Sequence, residues 1–179
     1  MIPRVHTERL ILREWLQGDF ETYAQWQADP EVVRFLGGET MSRADAWRSM
    51  ATAAGHWALR GYGVWAVEAK DGGALVGRVG LLNPDGWPGL EVGWTLGREH
   101  WGKGYATEAA RAALDYAFAT QNLDKAISLI HADNAASQNV AKRIGERRGE
   151  AIDFMHGTRH IEAEMWSITR TEWVKRRRC

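Results

Sequence analysis

The spacing of apolar residues along the chain switches between a helical period and a period of two, which predicts the order of its elements. Period-two or strand-like stretches cover 9–15, 63–69, 74–82, 90–96, 125–130, 150–155 and 162–169. Apolar residues recur at helical spacing in 19–28, 42–59, 104–120 and 135–144. The order β α α β β β α β α β β predicts one mixed α/β domain over residues 1–179.

Local signals mark several of the boundaries between these elements. Asp19 is a candidate N-cap of the first helix, and Ser42 precedes the second with an acidic residue, Asp45, three positions on, close to a capping box. Asp71, with two glycines after it, indicates a hairpin turn, and Gly145 is a typical helix stop.

Composition and charge exclude some classes of partner. The chain has 179 residues, of which 45% are hydrophobic, and its 23 Lys and Arg balance 23 Asp and Glu. A net charge of zero argues against a nucleic-acid-binding protein, because such proteins need a basic face. The dense basic run at 175–178 is interpreted as a solvated terminus.

The cysteine count and the hydropathy bear on location. Cys179 is the only cysteine, so neither an intrachain disulfide nor a cysteine metal site is expected. The opening residues MIPRVHTERL lack the apolar core of a signal peptide, and no apolar run reaches the length of a membrane span. These features predict a cytoplasmic protein without a membrane partner.

A glycine-rich segment, GREHWGKGYATEAA at 97–110, precedes the third predicted helix and suggests phosphate binding. It resembles a P-loop, but Gly104 stands where the motif needs the Ser or Thr that ligates magnesium. It also matches the start of a dinucleotide fingerprint, but Thr107 replaces the third glycine. Neither ATP or GTP hydrolysis nor dinucleotide binding is therefore favoured.

A third interpretation needs no metal ion. Backbone N–H groups at a helix N-terminus bind anions, and glycines let an anion approach the backbone closely. This predicts a site for the diphosphate of a cofactor that keeps it intact, such as coenzyme A. The predicted binding residues in the loop are Gly102, Lys103, Gly104, Tyr105, Ala106 and Thr107. Alternatively, the glycines merely start a helix.

Five segments in order resemble one superfamily. WGKGYATEA at 101–109 is similar to the acetyl-CoA loop of the GNAT N-acetyltransferases, most of all in the RimJ/RimL branch that acetylates ribosomal-protein N-termini. The other segments are TERLILR at 7–13, GLEVGWTL at 89–96, NAASQNVAKRIG at 134–145 and SITRTEW, at 167–173, which resembles the last strand. Trp101 departs from the Gln or Arg that opens the superfamily's loop, and we expect it to stack or pack beside the cofactor.

The resemblance implies a fold and a place for the cofactor. The GNAT fold has about seven strands in a mostly antiparallel sheet, splayed between strands 4 and 5, and about four helices. Here those two strands are 90–96 and 125–130, and the pantetheine arm would pair with Trp94, Thr95 and Leu96. Gly93 would permit a bulge that aims an N–H at the thioester oxygen.

The resemblance also implies candidate catalytic residues. Glu91 would be the general base, unless it is simply a solvent-facing charge. The tyrosine that many members use as the acid is replaced by Ala141, so Ser137 becomes the candidate acid, or only a helix N-terminal residue. Asn134 caps that helix, contacts the cofactor arm, or does both.

The acceptor is the least specified part of the function. Its wall is expected at 35–41 and 155–161; His156 and His160 in or near the second segment are interpreted as turn residues rather than as a base. No histidine pair has metal-ligand spacing, so no metal site is predicted. The acceptor is a primary amine, either a protein N-terminal α-amine or a small amine such as a polyamine or antibiotic. A non-catalytic CoA-binding domain and a homodimer are left open.

Overall fold

A computed structural model describes residues 2–157 and 159–177, whose strands form one sheet in the order β1-β2-β3-β4-β5-β6-β8-β7. The strands are β1 (Val5–His6), β2 (Leu10–Arg13), β3 (Val64–Ala69), β4 (Leu75–Leu82), β5 (Glu91–Leu96), β6 (Lys125–Ile130), β7 (Arg147–His156) and β8 (Arg159–Thr169). The helices are α1 (Phe20–Ala28), α2 (Pro30–Val33), α3 (Arg43–Arg60), α4 (Tyr105–Thr120), α5 (Ala135–Ile144) and α6 (Arg170–Arg177). Neighbouring strands are antiparallel except β5 and β6, which are parallel.

The predicted class, a mixed and mostly antiparallel sheet with helices, is confirmed, although the counts differ. The described residues contain eight strands and six helices, because β1, α2 and α6 come in addition to the predicted elements. The resemblance carried the last strand to Trp173, but α6 begins at Arg170. Thr169 and Glu172 explain the change, since each side chain accepts the other's backbone N–H in a capping box.

The sheet packs on both faces, as alternation along a strand requires. Trp65 and Val67 of β3 lie in the cluster that contains the apolar residues of α4. Ala66, between them, lies in a second cluster with residues of α1 and α3. Residues of β3 and β4 therefore pack in both clusters, and Val92 of β5 lies in the first. β5 forms one wall of the site described below.

Of the three predicted helix boundary residues, Ser42 and Gly145 are confirmed and Asp19 is wrong. Ser42 caps α3 as expected, because its hydroxyl accepts the N–H of Asp45 at 3.2 Å. Gly145 ends α5 in the left-handed conformation, at φ 97°. Asp19 was expected to cap α1, but it makes no side-chain cap bond. Its buried carboxylate instead pairs with the Arg13 guanidinium at 2.8 Å, since a buried charge needs a charged partner more than a helix end does.

The basic C-terminal run is helical in part. Arg176 donates to the carbonyl of Arg143 at 3.1 Å, and Arg177 pairs with Asp115 at 3.2 Å, although both arginines are exposed. The run is therefore docked on α4 and α5 and not merely solvated. Arg178, Cys179 and Thr158 lie outside the described residues.

The sheet splays between β5 and β6, which are the fourth and fifth predicted strands. The two strands share a single bridge pair, Glu91 with Ile127, and the Ile127 N–H donates to the Leu90 carbonyl at 3.0 Å. The gap predicted from the resemblance is therefore confirmed.

Candidate functional site

A groove of about 1510 Å³ runs from the glycine loop along β5 to the first turn of α5. It brings together most of the predicted site residues, which are far apart in the chain. They are Trp94, Thr95, Leu96, Trp101, Gly102, Lys103, Gly104, Tyr105, Ala106, Thr107, Asn134 and Ser137. Glu91 lies outside this lining, at the place where β5 and β6 meet.

The glycine loop has the backbone that anion binding requires. Gly102 and Gly104 have φ of 74° and 80°, which side-chain-bearing residues rarely adopt. α4 starts directly after Gly104, so the N–H groups of its first turn open towards the groove at the positive end of a helix. A diphosphate fits such a loop, with Lys103 as an added charge.

Arg9 is a residue of this site that sequence reasoning missed. Its guanidinium donates to the Lys103 carbonyl at 2.9 Å, pairs with Glu108 and lies over the Tyr105 ring, 4.9 Å from its centroid. Arg9 therefore holds the loop and adds a positive charge beside it. It belongs to the TERLILR segment, but no local pattern shows a contact with residues almost a hundred positions away.

The edge of β5 that faces the gap follows from strand geometry. The N–H and C=O of one residue point to the same side, and those of the next residue to the other side. Because the Leu90 carbonyl points to β6, the backbone groups of Trp94 and Leu96 also face the gap. The Leu96 carbonyl accepts the Trp101 indole N–H at 3.0 Å, so Trp101 closes the groove beside the loop.

The bulge expected at Gly93 is not present. β4 and β5 pair in continuous register, with Gly80 opposite Gly93 and Val79 opposite Trp94. The Gly93 N–H therefore points towards β4 and not into the gap. The N–H that faces the gap next along the strand is that of Trp94.

Two side chains end the ladder between β5 and β6. In a continuing parallel ladder the Leu129 N–H would donate to the Val92 carbonyl. Instead it lies 3.4 Å from Oε1 of Glu91, and the Val92 carbonyl accepts the Ser128 hydroxyl at 2.7 Å. Side-chain bonds thus replace the ladder where the strands part.

Glu91 has the environment of a general base. It is half-buried, and its Oε2 accepts the indole N–H of Trp87 at 2.8 Å. Loss of water raises the pKa of Glu91 to about 7, while the bonds from Trp87 and from the Leu129 backbone act against this rise. A carboxylate with this pKa exchanges protons near neutral pH.

Ser137 lies on the other side of β5 from Glu91 and is also fixed by hydrogen bonds. Its N–H is accepted by Oδ1 of Asn134 at 3.1 Å, so Asn134 caps α5 and also lines the groove. Its Oγ accepts the Trp94 indole N–H at 3.3 Å. Because that bond uses an oxygen lone pair, the hydroxyl hydrogen is left to donate to another group.

The two segments expected to form the acceptor wall lie in different surroundings. Phe35 lines the groove and lies 5.4 Å from the His131 ring, whereas Met155 is 61% exposed. Phe154 and His156 pack instead against Trp87, with ring centroids 5.5 and 5.0 Å away. Trp87, another residue missed from sequence, thereby links the β7–β8 hairpin to Glu91.

His160 is the second histidine of the β7–β8 hairpin. His160 is exposed and lies 2.5 Å from Oδ1 of Asp153. Among residues 2–157 and 159–177, no three His, Cys, Asp or Glu side chains cluster as metal ligands would. Within the same residues, no helix is both long and apolar enough to cross a membrane.

Comparison with known proteins finds one family. The family model described as "Acetyltransferase (GNAT) domain" matches residues 9–147. The chain is 28% identical to "Uncharacterized N-acetyltransferase p20" of Bacillus licheniformis, over 95% of this chain and 98% of that protein. It is 40% identical to "Uncharacterized protein YkkB" of Bacillus subtilis, over 69% of this chain and 73% of that one.

Solved structures share the fold. An acetyltransferase from Agrobacterium tumefaciens has a TM-score of 0.82 at 29% identity, with 94% of this chain and 95% of that one covered. A putative ribosomal-protein-serine acetyltransferase from Vibrio cholerae has a TM-score of 0.77 at 19% identity, covering 93% and 97%. Spermidine N-acetyltransferase from Vibrio cholerae, solved with CoA and spermine, has 0.74 at 20%, covering 93% and 98%. The last two likenesses concern the fold alone.

Proposed function

Because the chain belongs to the acetyltransferase (GNAT) family, we propose that it transfers acetyl from acetyl-CoA to a primary amine, which attacks the thioester directly in a ternary complex. The whole chain, 1–179, would form one such domain. The observation that carries the proposal is Glu91, a carboxylate with its pKa raised to about 7, fixed by Trp87 where β5 and β6 part.

The groove suits acetyl-CoA as the cosubstrate. The loop from Gly102 to Thr107 would hold the diphosphate with backbone N–H groups, and Lys103 and Arg9 would supply positive charge. The pantetheine arm would lie in the gap and pair with the backbone of Trp94 and Leu96. No metal ion takes part in this arrangement.

The proposed chemistry has three parts. Glu91 accepts a proton from the attacking ammonium, directly or through a water, so that a neutral nitrogen lone pair reaches the thioester carbon. The Trp94 N–H stabilises the charge that develops on the thioester oxygen. The C–S bond then breaks and Ser137 donates its proton to the leaving thiolate. The second proton shed by the amide nitrogen replaces it, through water, so the products are the amide, the free thiol and protonated Glu91.

The positions of Glu91 and Ser137 agree with this sequence of events. Glu91 and Trp94 are three residues apart on one strand, so their side chains point to opposite faces of the sheet. Ser137 contacts Trp94, and so the candidate base and the candidate acid flank the strand. The amine would enter on one side, and the thiol would leave on the other.

A protein N-terminal α-amine is the proposed acceptor, as in the ribosomal-protein branch. Its reference pKa of about 7.7–8.0 lies close to the pKa of Glu91, whereas a lysine-like amine of about 10.4 would hold its proton far more strongly. A base of this strength is therefore suited to an α-amine. Small amines, including polyamines and antibiotics, form the alternative.

The test has a binding step and a turnover step. Acetyl-CoA with EDTA should raise the melting temperature, as a ligand of the folded state does, whereas ATP with magnesium should not. Thiol release should then be measured with peptides that start with Ala or Ser, the same peptides with blocked N-termini, spermidine and an aminoglycoside. Release with free N-termini alone supports the proposed acceptor. Release with spermidine or the aminoglycoside favours the alternative, and binding without any release indicates a non-catalytic CoA-binding domain.

A further inference from the structure

Glu146 is a buried carboxyl group that the proposed chemistry does not use. Glu146 follows Gly145 at the end of α5. Its N–H donates to the Ala141 carbonyl at 2.9 Å, and the Gly145 N–H donates to the Lys142 carbonyl at 3.1 Å. This pair of bonds is a Schellman motif, in which the residue after the glycine is usually an apolar contact. Here that residue is a glutamate with 4% of its surface exposed.

The hydrogen bonds around Ser128 favour a proton on Glu146. Oγ of Ser128 lies 2.7 Å from the Val92 carbonyl and 3.0 Å from Oε1 of Glu146. A serine has one hydroxyl hydrogen, and a carbonyl can only accept. If that hydrogen goes to Val92, as the shorter distance indicates, Oε1 can bond to Ser128 only as a protonated acid that donates.

The remaining surroundings also disfavour an ionised Glu146. Its Oε2 has no hydrogen-bond partner among the described residues. Burial raises the pKa of Glu146 to about 8, and the neighbouring charge of Glu91 on β5 adds to the rise, although a bond donated by Ser128 to the ionised form would act against it. At neutral pH the chain Glu146 to Ser128 to Val92 therefore has the hydrogens it needs.

We propose that Glu146, held as a neutral carboxylic acid, is a positioning residue that acts through Ser128 on the Val92 carbonyl and thereby sets the gap between β5 and β6. The inference rests on the proposed function, because this gap is where the arm of acetyl-CoA would lie. Val92 is two residues before Trp94 on the same edge, so movement at Val92 displaces the backbone that pairs with the arm.

Ionisation of Glu146 would undo this arrangement. The carboxylate can only accept, so it would compete with the Val92 carbonyl for the single Ser128 hydrogen. It would also repel ionised Glu91, the titratable group whose charge acts on it. Above the pKa of Glu146 the bond from the Ser128 hydroxyl to the Val92 carbonyl is weakened. This bond then no longer sets the width of the gap between β5 and β6.

The binding test compares four proteins by calorimetry with acetyl-CoA between pH 6.5 and 9.5, in EDTA. Wild type should lose affinity by about tenfold as Glu146 ionises, the equivalent of one hydrogen bond. Glu146→Gln should keep the neutral-pH affinity across the range, because its amide N–H still donates to Ser128 and cannot ionise. Ser128→Ala should be weak at every pH. Glu164 is also a buried carboxyl group, but it pairs with Arg148. Glu164→Gln is therefore the control and should follow wild type.

Unfolding provides a measurement that does not depend on acetyl-CoA. The pKa of Glu146 is about 8 in the folded chain and about 4.3 when unfolded, so the folded state binds more protons between these values. Stability then falls as pH rises through this window. Glu146→Gln should remove about one proton from the slope of unfolding free energy against pH.

The two proposals can fail separately. If wild type binds acetyl-CoA and Glu146→Gln shows the same alkaline loss of affinity, or the same unfolding slope, the role of Glu146 is overturned. If wild type binds no acetyl-CoA at any pH, the proposed function fails, whereas the unfolding slope still reports whether Glu146 is neutral in the fold.

Discussion

The indole N–H of Trp87 donates to Oε2 of Glu91 at 2.8 Å and fixes the carboxylate where β5 and β6 part. On its far side the Trp87 ring packs against Phe154 and His156 of the β7–β8 hairpin. One side chain therefore connects the candidate base with the hairpin that was expected to form part of the acceptor wall.

Glu91→Gln should lower kcat about 100-fold or more, because a general base typically contributes this much. Glu91 works as a base only when ionised, so the wild-type rate should rise with pH through about 7. The variant should lack this acidic limb and keep its affinity for acetyl-CoA. The measurement is kcat/KM against pH, with the exposed Glu150→Gln on β7 as control. An unchanged profile would show that Glu91 is not the base.

Trp87→Phe should move the acidic limb to higher pH. The indole N–H stabilises the ionised carboxylate and lowers its pKa, so its loss raises the pKa of Glu91 further. Phenylalanine keeps a ring against Phe154. Rates of the two enzymes should differ most near neutral pH and converge at alkaline pH, and a limb that shifts downward would contradict the assignment.

Gly104→Ala should weaken acetyl-CoA binding, because alanine resists the left-handed backbone at φ 80° and the loop would rearrange. Gly86→Ala is a matched control: Gly86 has φ 79° and no atom within 4 Å of an added Cβ, and it is not among the residues that line the groove. Both variants should lose about 1–2 kcal/mol of stability by denaturation. Only Gly104→Ala should also lose affinity by calorimetry, and equal affinities would argue against a phosphate site in the loop.

Ser137→Ala should reduce kcat by about tenfold, since a thiol of pKa ~8.5 needs only weak assistance to leave. Asn134→Ala provides the contrast. It removes the side-chain cap of α5 and should cost about 1 kcal/mol of stability. If Ser137→Ala destabilises the fold and leaves the rate of thiol release unchanged, Ser137 is structural and not the acid.

Asp19→Ala should destabilise the chain by about 1–3 kcal/mol, because the buried Arg13 guanidinium loses one of its two carboxylate partners and keeps only Glu68. The exposed pair between Arg43 and Glu21 is the control, and Glu21→Ala should have no measurable effect. Thermal and denaturant unfolding decide between them. Similar losses of unfolding free energy for both variants would mean that the buried Arg13–Asp19 pair contributes no more to stability than the exposed pair.

Several features of the fold and the site could be predicted from residues that are neighbours in the chain. The glycine loop before an amphipathic helix, the Ser42 cap and the Gly145 stop all depend on neighbouring residues, and the structure has each in place. The resemblance of five segments then led to the splay and to most of the predicted groove residues. Even so, the Gly93 bulge was wrong, because the register of β5 is set by its pairing with β4 and not by the glycine.

By itself, the sequence determined the order of most elements and the conformation of the glycine loop, because periodicity and turn chemistry act over a few positions. The other predicted groove residues came from the family resemblance and not from local patterns. The tertiary structure alone decided which distant groups meet: Arg9 with Lys103, Trp87 with the hairpin, and Ser128 with Val92 and Glu146. A buried polar group bonds to whatever the packed chain brings within reach, and that neighbourhood depends on the arrangement of the whole sheet.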